Sequence, residues 1–125
     1  MAKDVTVQDL REVAEQCVAE EPSRLGTEGW WRKPLLVTAA IDERFEILPK
    51  IAFEEHWQPK DLLATAKSVI VFFIPFKEPL IKENKKGDRP CRSWGVAYVQ
   101  TNDLIGRVSQ ALGDFLGRHG FTSGL

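Results

Sequence analysis

Apolar residues near the start of the chain recur every three or four positions, which predicts an amphipathic helix over residues 6–20. Thr6 followed by Asp9 has the spacing of a helix-capping pair, with Asp standing where Glu is usual. The predicted buried stripe comprises Val7, Leu10, Val13, Ala14, Cys17 and Val18. Cys17 is therefore expected in the core rather than as a nucleophile.

A second amphipathic pattern predicts a helix over residues 101–118 near the other end of the chain. Thr101 or Asn102 is suited to cap its start, and Gly120 is suited to its C-terminal cap. The predicted buried face comprises Leu104, Ile105, Val108, Leu112, Phe115 and Leu116, with Arg107 and Arg118 on the solvent side. We expect these two long helices to cover a sheet.

Two apolar runs between the helices predict strands over residues 35–41 and 69–74. The second run has no polar position, which is typical of a strand buried on both faces, and Pro75 ends it. Short helical turns are predicted over 45–52 and from Pro59 onward. The fold class is therefore α/β, a sheet with a buried central strand flanked by amphipathic helices. Residues 1–125 form a single domain or the N-terminal fragment of one.

Two polar stretches separate these elements. Residues 22–33 are predicted to be a loop that carries Trp30 and Trp31, which serve either ordinary packing or a ligand or dimer contact. Residues 77–92 are predicted to be a longer loop with an excess of three positive charges. That loop is either a solvated surface segment or a lid over a site for an anionic group.

Composition narrows the function classes. The hydrophobic share of 43% is enough for a core, and a net charge of −1 argues against a protein that coats DNA. No apolar run reaches the roughly 20 residues needed to span a membrane. The first residues lack an apolar signal core, so the cytoplasm is the expected location. Cys17 and Cys91 form no C-x-x-C motif, and a disulfide between them is disfavoured there.

Candidate chemistry is sparse. His119 sits at a helix end, where a cation is favourable, and His56 has no second ligand pair at helical spacing, so no metal site is predicted. Nucleotide-binding glycine motifs are absent from the sequence. The remaining constellation is aromatic and polar: Arg92, Ser93, Trp94, Tyr98, Thr101 and Asn102. Whether this segment is extended or helical, its two rings lie together, either as a wall for a conjugated ligand or as core residues.

Two segments carry a family resemblance. They are Lys33-Pro34-Leu35 through Pro59-Lys60-Asp61-Leu62-Leu63 to Ala66-Lys67-Ser68-Val69-Ile70-Val71-Phe72-Phe73-Ile74-Pro75-Phe76, and Cys91-Arg92-Ser93-Trp94-Gly95-Val96-Ala97-Tyr98-Val99-Gln100-Thr101-Asn102. Their order and local pattern resemble the N-terminal region of epoxyqueuosine reductase-like proteins, in a short branch distinct from the tRNA-modifying enzyme. The resemblance spans about 90 of the 125 residues.

This resemblance implies an incomplete portion of a larger corrinoid-binding-type domain. It implies a downstream ferredoxin-like segment with two 4Fe-4S clusters, low-potential electron transfer from an electron donor, and cobalamin as a cofactor. It carries over to this chain as ligand-wall positions at Pro75, Phe76, Trp94, Tyr98 and Asn102, with no catalytic residue and no metal ligand. A tRNA partner is implied by the resemblance alone.

Two functions therefore remain open from the sequence. One is the N-terminal portion of an iron–sulfur oxidoreductase, not catalytic alone. The other is a non-catalytic module for small-ligand binding or dimerisation, because no complete catalytic set is visible. An incomplete sheet leaves an open edge, and open edges pair with other strands, so we also expect a homodimer.

Overall fold

The computed structural model describes residues 4–25, 29–52, 54–55, 57–85, 87 and 91–124, and over these residues the fold is mixed α/β. A small antiparallel sheet of two strands packs with helices. The elements are α1 Val7–Leu25, β1 Leu35–Ala40, a 3₁₀ turn Glu43–Ile47, α2 Leu48–Ile51, α3 Pro59–Leu62, β2 Ser68–Phe73, α4 Glu78–Asn84 and α5 Arg92–Arg118. The predicted strands and the two predicted short turns are therefore confirmed to within a few residues.

Helix α1 begins as its sequence predicts. The Thr6 amide donates to Asp9 Oδ2 at 2.9 Å, and the Asp9 amide donates to Thr6 Oγ1 at 3.1 Å. The helix continues past the predicted end and through Pro22 to Leu25, so the prediction of a loop from residue 22 is wrong for its first residues. In this final turn, buried Glu21 pairs with Arg24 three residues later, a spacing that supports a helix.

Helix α5 begins at Arg92, well before the predicted start. Its N-cap is Cys91, whose Sγ accepts a hydrogen bond from the Trp94 amide at 3.4 Å. The prediction of Thr101 or Asn102 as the cap is therefore wrong. Thr101 lies inside the helix, where its hydroxyl donates to the Ala97 carbonyl at 2.5 Å. A side chain that suits a cap is also accommodated in a helix interior when its hydroxyl bonds back to the preceding turn.

The C-terminal end of α5 matches its prediction. Gly120 has a φ of 85°, a conformation that favours glycine, directly after the cap residue His119. The Phe121 amide donates to Leu116 O at 2.9 Å, and the Gly120 amide donates to Gly117 O at 3.1 Å. These two bonds form a Schellman motif, which satisfies carbonyls that the helix end would leave free.

The core lies where α1 packs against both α5 and β1. Both long helices present their predicted stripes to it, except for Ile105 of α5, which is 42% exposed, and the tryptophan before β1 joins them. The buried apolar residues of this cluster are Leu10, Ala14, Val18, Trp31, Leu36, Ile74, Leu104, Val108 and Leu112. Cys17 packs against the cluster and is a free thiol, as is Cys91, in agreement with the sequence prediction.

The two strands pair with Leu35 opposite Phe73 and Val37 opposite Val71. Alternate residues point to opposite faces, and Leu36, 3% exposed, lies on the face that meets the helices. On the other face the same four paired residues are 54–63% exposed. Within the described part of the chain, only one face of β2 is covered, although its apolar run is typical of a strand with two covered faces.

The polar stretch after β2 is more ordered than predicted. Glu78–Asn84 forms helix α4, which packs against α5 and buries Leu80 at 4% exposure. The prediction of a loop over all of residues 77–92 is therefore wrong for this part. The helix is stabilised by a proline in its first turn and by one buried leucine. The many charged residues of this segment had favoured the prediction of a loop.

Candidate functional site: the groove between β2 and α5

An apolar groove of about 510 Å³ lies between β2 and helix α5. The strand contributes a continuous backbone stretch to its wall, and the helix contributes three residues at four-residue spacing. The lining residues are Ile70, Val71, Phe72, Phe73, Ile74, Phe76, Thr101, Ile105 and Ser109. Among the described residues, the hydroxyls of Thr101 and Ser109 are the only polar side chains in this lining. The described part of the groove is thus suited to contact a flat or apolar surface and contains no acid or base.

The tandem tryptophans fix the width of this groove at one end. The Trp30 indole donates to Gln100 Oε1 at 2.7 Å, and the Trp31 indole donates to Thr101 Oγ1 at 2.8 Å. Trp31 also forms an antiparallel β-bridge with Phe76, which lies three residues after the end of β2. Both rings therefore serve packing and hydrogen bonding to α5. Because Thr101 is bonded on both sides, its hydroxyl is already engaged.

The bridge region is closed by two backbone hydrogen bonds. The Arg32 amide donates to the Pro75 carbonyl, and the Lys77 amide donates to the Trp30 carbonyl, each at 2.8 Å. Pro75 and Phe76 are consequently held on rigid backbone rather than on a free loop. This places the carboxyl end of β2 beside the first turns of α5.

The five predicted ligand-wall residues are brought together only in part. Phe76 and Trp94 are half-buried neighbours, with ring centroids 5.1 Å apart and planes tilted by 57°. Pro75 lies directly before this pair and is half-buried. Tyr98, 63% exposed, and Asn102, also exposed, follow Trp94 at four-residue intervals along α5. The helical alternative for this segment is confirmed, because Trp94 and Tyr98 lie one turn apart.

Sequence reasoning missed the helical wall of the groove beyond residue 102. Ile105 is 42% exposed, and it shares a face of α5 with Tyr98 because the two are seven residues apart. Ser109 continues the same face one turn later. The sequence pattern places Ile105 in the buried stripe, since periodicity cannot tell the core from a groove at its edge. Its position at the margin of that stripe was the available signal.

A second cleft of about 500 Å³ lies between α1 and the segment that precedes β1. Its lining includes Glu12 and Glu15 from α1, with Arg32, Lys33 and Lys77 on the opposite side. Charges of both signs therefore line it, and they provide no field that selects an anion or a cation. The prediction that the stretch after β2 covers an anionic group stays a prediction.

A charged cluster that the sequence did not reveal joins α1 to α5. The Glu21 side chain is 2% exposed, and its two oxygens contact Arg24 at 2.5 Å and Arg107 at 3.2 Å. Arg24 also reaches Asp103 at 2.7 Å. The carboxylate of Glu21 raises the pKa of Arg24, which is already a permanent cation. Arg107 is exposed, as predicted, and its guanidinium also contacts Glu21 across the helix pair.

The cysteines offer no metal centre. Burial raises the pKa of the Cys17 thiol, with the nearby carboxylates adding to the effect, so this side chain stays protonated at neutral pH. Among the described residues, no group of three or more His, Cys, Asp or Glu side chains is placed to hold a metal ion. His56 lies outside the described residues. His119 contacts the Phe115 carbonyl through Nδ1 at 2.9 Å, in line with its predicted structural role at the helix end.

Comparisons with known proteins leave the site to be interpreted from its own chemistry. No protein-family model, no curated protein and no solved structure matched this chain. Across the described residues, none of the helices combines the length and the apolar character that crossing a bilayer requires. The groove between β2 and α5 is the feature from which a function can be argued.

Proposed function

We propose that this chain is the N-terminal portion of an epoxyqueuosine reductase-like iron–sulfur oxidoreductase. In this role it supplies scaffold and part of a cofactor or substrate pocket, and it is not catalytic alone. The observation that carries the proposal is the apolar groove along β2, at one end of which the Phe76 and Trp94 rings are in contact at a tilt of 57°. Small-molecule sites are concave and mostly apolar, with a few polar groups that fix the orientation of the ligand.

The groove is suited to one face of a large conjugated ligand rather than to a whole one. Its volume of about 510 Å³ lies within the range of small-molecule pockets, and its lining is mostly aliphatic and aromatic. A corrinoid is larger than this space, so the chain would contact part of it and leave the rest to other segments. Of the five predicted wall residues, Phe76 lines the groove itself, and Pro75, Trp94, Tyr98 and Asn102 would extend the contact beyond the end of the groove.

Iron–sulfur clusters do not fit this chain. A 4Fe-4S cluster takes four cysteine thiolates, and the sequence has two cysteines. One is a protonated thiol in the helix core, and the other caps α5. Electron transfer is therefore assigned in this proposal to a downstream segment and an electron donor. The proposal includes a cytoplasmic location and a small or tRNA-linked substrate.

The larger fold follows from the same proposal. The exposed face and the free edge of β2 would be covered by further elements of a corrinoid-binding-type domain, which would make β2 a buried central strand. The apolar character of both faces of β2 supports this arrangement, because a strand that stays exposed on one side usually alternates polar and apolar residues.

Titration with hydroxocobalamin, followed by visible absorption, tests the pocket. We expect a saturable spectral change with the wild-type chain and a weaker one with Ile105→Trp, which fills the groove. The matched control is Val99→Trp, since Val99 is 68% exposed, lies about 120° around α5 from Ile105 and is not among the residues that line the groove. Absence of any change with the wild-type chain, or equal loss in both variants, would contradict a corrinoid surface here.

A second candidate is a non-catalytic module that binds a small apolar ligand. It is favoured because the described residues that line the groove include no titratable side chain, and acid–base catalysis needs such a group within hydrogen-bond reach. Two results together would favour this candidate. A solvatochromic apolar dye would bind the wild-type chain but not the Ile105→Trp variant, and the wild-type chain would show no spectral response to cobalamin.

A further inference from the structure

The cleft between α1 and the segment that precedes β1 is distinct from the groove beside β2. It has a volume of about 500 Å³ and shares no lining residue with the groove. The two spaces lie on either side of the bridge between Trp31 and Phe76, since Trp31 lines the cleft and Phe76 lines the groove. A role for this cleft is therefore independent of any cofactor in the groove.

One wall of the cleft is an acidic face of α1. Glu12, Glu15 and Ala19 line it, and spacings of three and four residues place them on one side of the helix. Glu12 accepts a long hydrogen bond from Gln8, at 3.5 Å. The partly buried Glu15 has no polar side-chain partner among the described residues. Its carboxylate is thus available to a ligand.

The facing wall is basic and is held by paired backbone. Arg32 and Lys77 flank the bridge, and their amides each donate a backbone hydrogen bond across it at 2.8 Å. Lys33 continues this wall toward β1. The Lys77 ammonium lies against Gly29, where an added Cβ would come within 3.3 Å of Nζ. Gly29 also lines the cleft, so this positive charge is located at the cleft itself.

The charges of the two walls do not neutralise each other. Within the described part of the chain, none of the two carboxylates and three cations that line the cleft takes part in an ion pair. Opposite charges that share a cleft and could reach each other would pair, so the two walls are farther apart than a direct ion pair allows. A ligand that carries one charge of each sign can lie between them and contact both.

The floor between the walls is apolar. Val18 and Trp31 are 6% and 5% exposed, and Pro34 is buried beside them. A simple anion would be attracted by one wall and repelled by the other, and the same holds for a simple cation. The lining therefore matches a molecule with an ammonium at one end, a carboxylate at the other and an apolar part between them.

We propose that this cleft binds a short zwitterionic peptide of the dipeptide class, with apolar side chains and free termini. Its ammonium contacts Glu12 and Glu15, and its carboxylate contacts Arg32 and Lys77. Two extended residues span roughly 7 Å. That length exceeds the N···O distance of about 4 Å at which an ion pair forms, in keeping with walls that do not touch.

Isothermal titration calorimetry with leucyl-leucine and two capped forms tests the proposal. N-acetyl-leucyl-leucine keeps only the carboxylate, and leucyl-leucine amide keeps only the ammonium. We expect saturable binding of leucyl-leucine to the wild-type chain. Each capped form should bind about tenfold more weakly, because it loses a charge-assisted contact and leaves one wall without a partner.

Two variants assign the termini of the probe to the two walls. Glu15→Gln should weaken leucyl-leucine but not its acetylated form, so the selectivity between these two probes falls. Lys77→Met should reduce the selectivity between leucyl-leucine and its amide in the same way. Glu83→Gln and Lys67→Met are the matched controls, at exposed charged residues outside the cleft, and should keep the wild-type affinity and selectivity.

Three results would overturn the proposal. They are the absence of saturable heat with leucyl-leucine, equal affinity for the capped and uncapped probes, and unchanged selectivity in both cleft variants. Circular dichroism confirms that each variant is folded, and should Glu15→Gln not fold, Glu12→Gln tests the same wall. Ile105→Trp, which fills the groove beside β2, should bind leucyl-leucine as the wild type does. The cobalamin titration and this titration therefore fail or succeed separately.

Discussion

Removing the cations around Glu21 is expected to destabilise the packing of α1 on α5 strongly. The double variant Arg24→Met, Arg107→Met keeps long side chains to cover the helices but leaves a carboxylate that is 2% exposed without a positive partner. In the wild-type chain its two oxygens are engaged by different arginines. The Glu21 side chain is 2% exposed, so water provides little compensation for the lost arginines.

The expected loss of stability depends on the difference in burial between Glu21, which is 2% exposed, and its two partly exposed arginine partners. An uncompensated buried carboxylate such as Glu21 costs about 3–5 kcal/mol. A domain of this length has a total stability of roughly 6–19 kcal/mol, so the loss would be a large fraction of it. Glu21→Gln alone should cost clearly less, because the Arg24 and Arg107 side chains are 38% and 49% exposed and can be hydrated.

Urea unfolding followed by tryptophan fluorescence measures these effects, since the chain has four tryptophans. The decisive comparison adds Glu21→Gln to the double arginine variant, which removes the buried charge and should restore most of the lost stability. The exposed pair of Asp42 and Arg44 is the control, and Arg44→Met should change the unfolding midpoint little. A double arginine variant as stable as the wild type, or no recovery in the triple variant, would refute the reasoning.

Three further predictions concern the core, a thiol and a helix end. Leu104→Ala, at a residue 0% exposed, should lower the free energy of unfolding in urea by about 2–5 kcal/mol, while Val99→Ala should stay close to the wild type. In a Cys91→Ser background, Cys17 should react with a thiol reagent slowly at neutral pH and faster as pH rises, because burial raises the pKa of its thiol. The stability that this thiol contributes is complete below the pKa of the unfolded thiol, and it declines as pH rises through the pKa of the folded thiol. A free-cysteine rate at neutral pH would contradict this. Gly120→Ala should cost about 1–2 kcal/mol in thermal unfolding, because alanine is strained at a φ of 85°, and an unchanged melting temperature would contradict that reason.

The residues of the candidate site could be predicted from sequence only where a local sequence pattern marks residues that also meet in the folded chain. Phe76 and Trp94 were both singled out from sequence, and their rings do meet, because both follow structure boundaries that proline and helical spacing mark. Ile105 and Ser109 were not selected, since they become a wall of the groove only through the distance between α5 and β2. That distance is set by Trp31, which bonds across to the helix.

Sequence alone determined the features that depend on neighbours along the chain. The Thr6 cap, the apolar stripe of α1, the two strands and the Gly120 helix end follow from side-chain periodicity and from residue-specific backbone preferences, which act over a few positions. Tertiary structure decided the true start of α5, the helix within the polar stretch after β2, the burial of Glu21 and which sheet face is open. Each of these depends on contacts between segments far apart in sequence, whose energies local pattern does not contain.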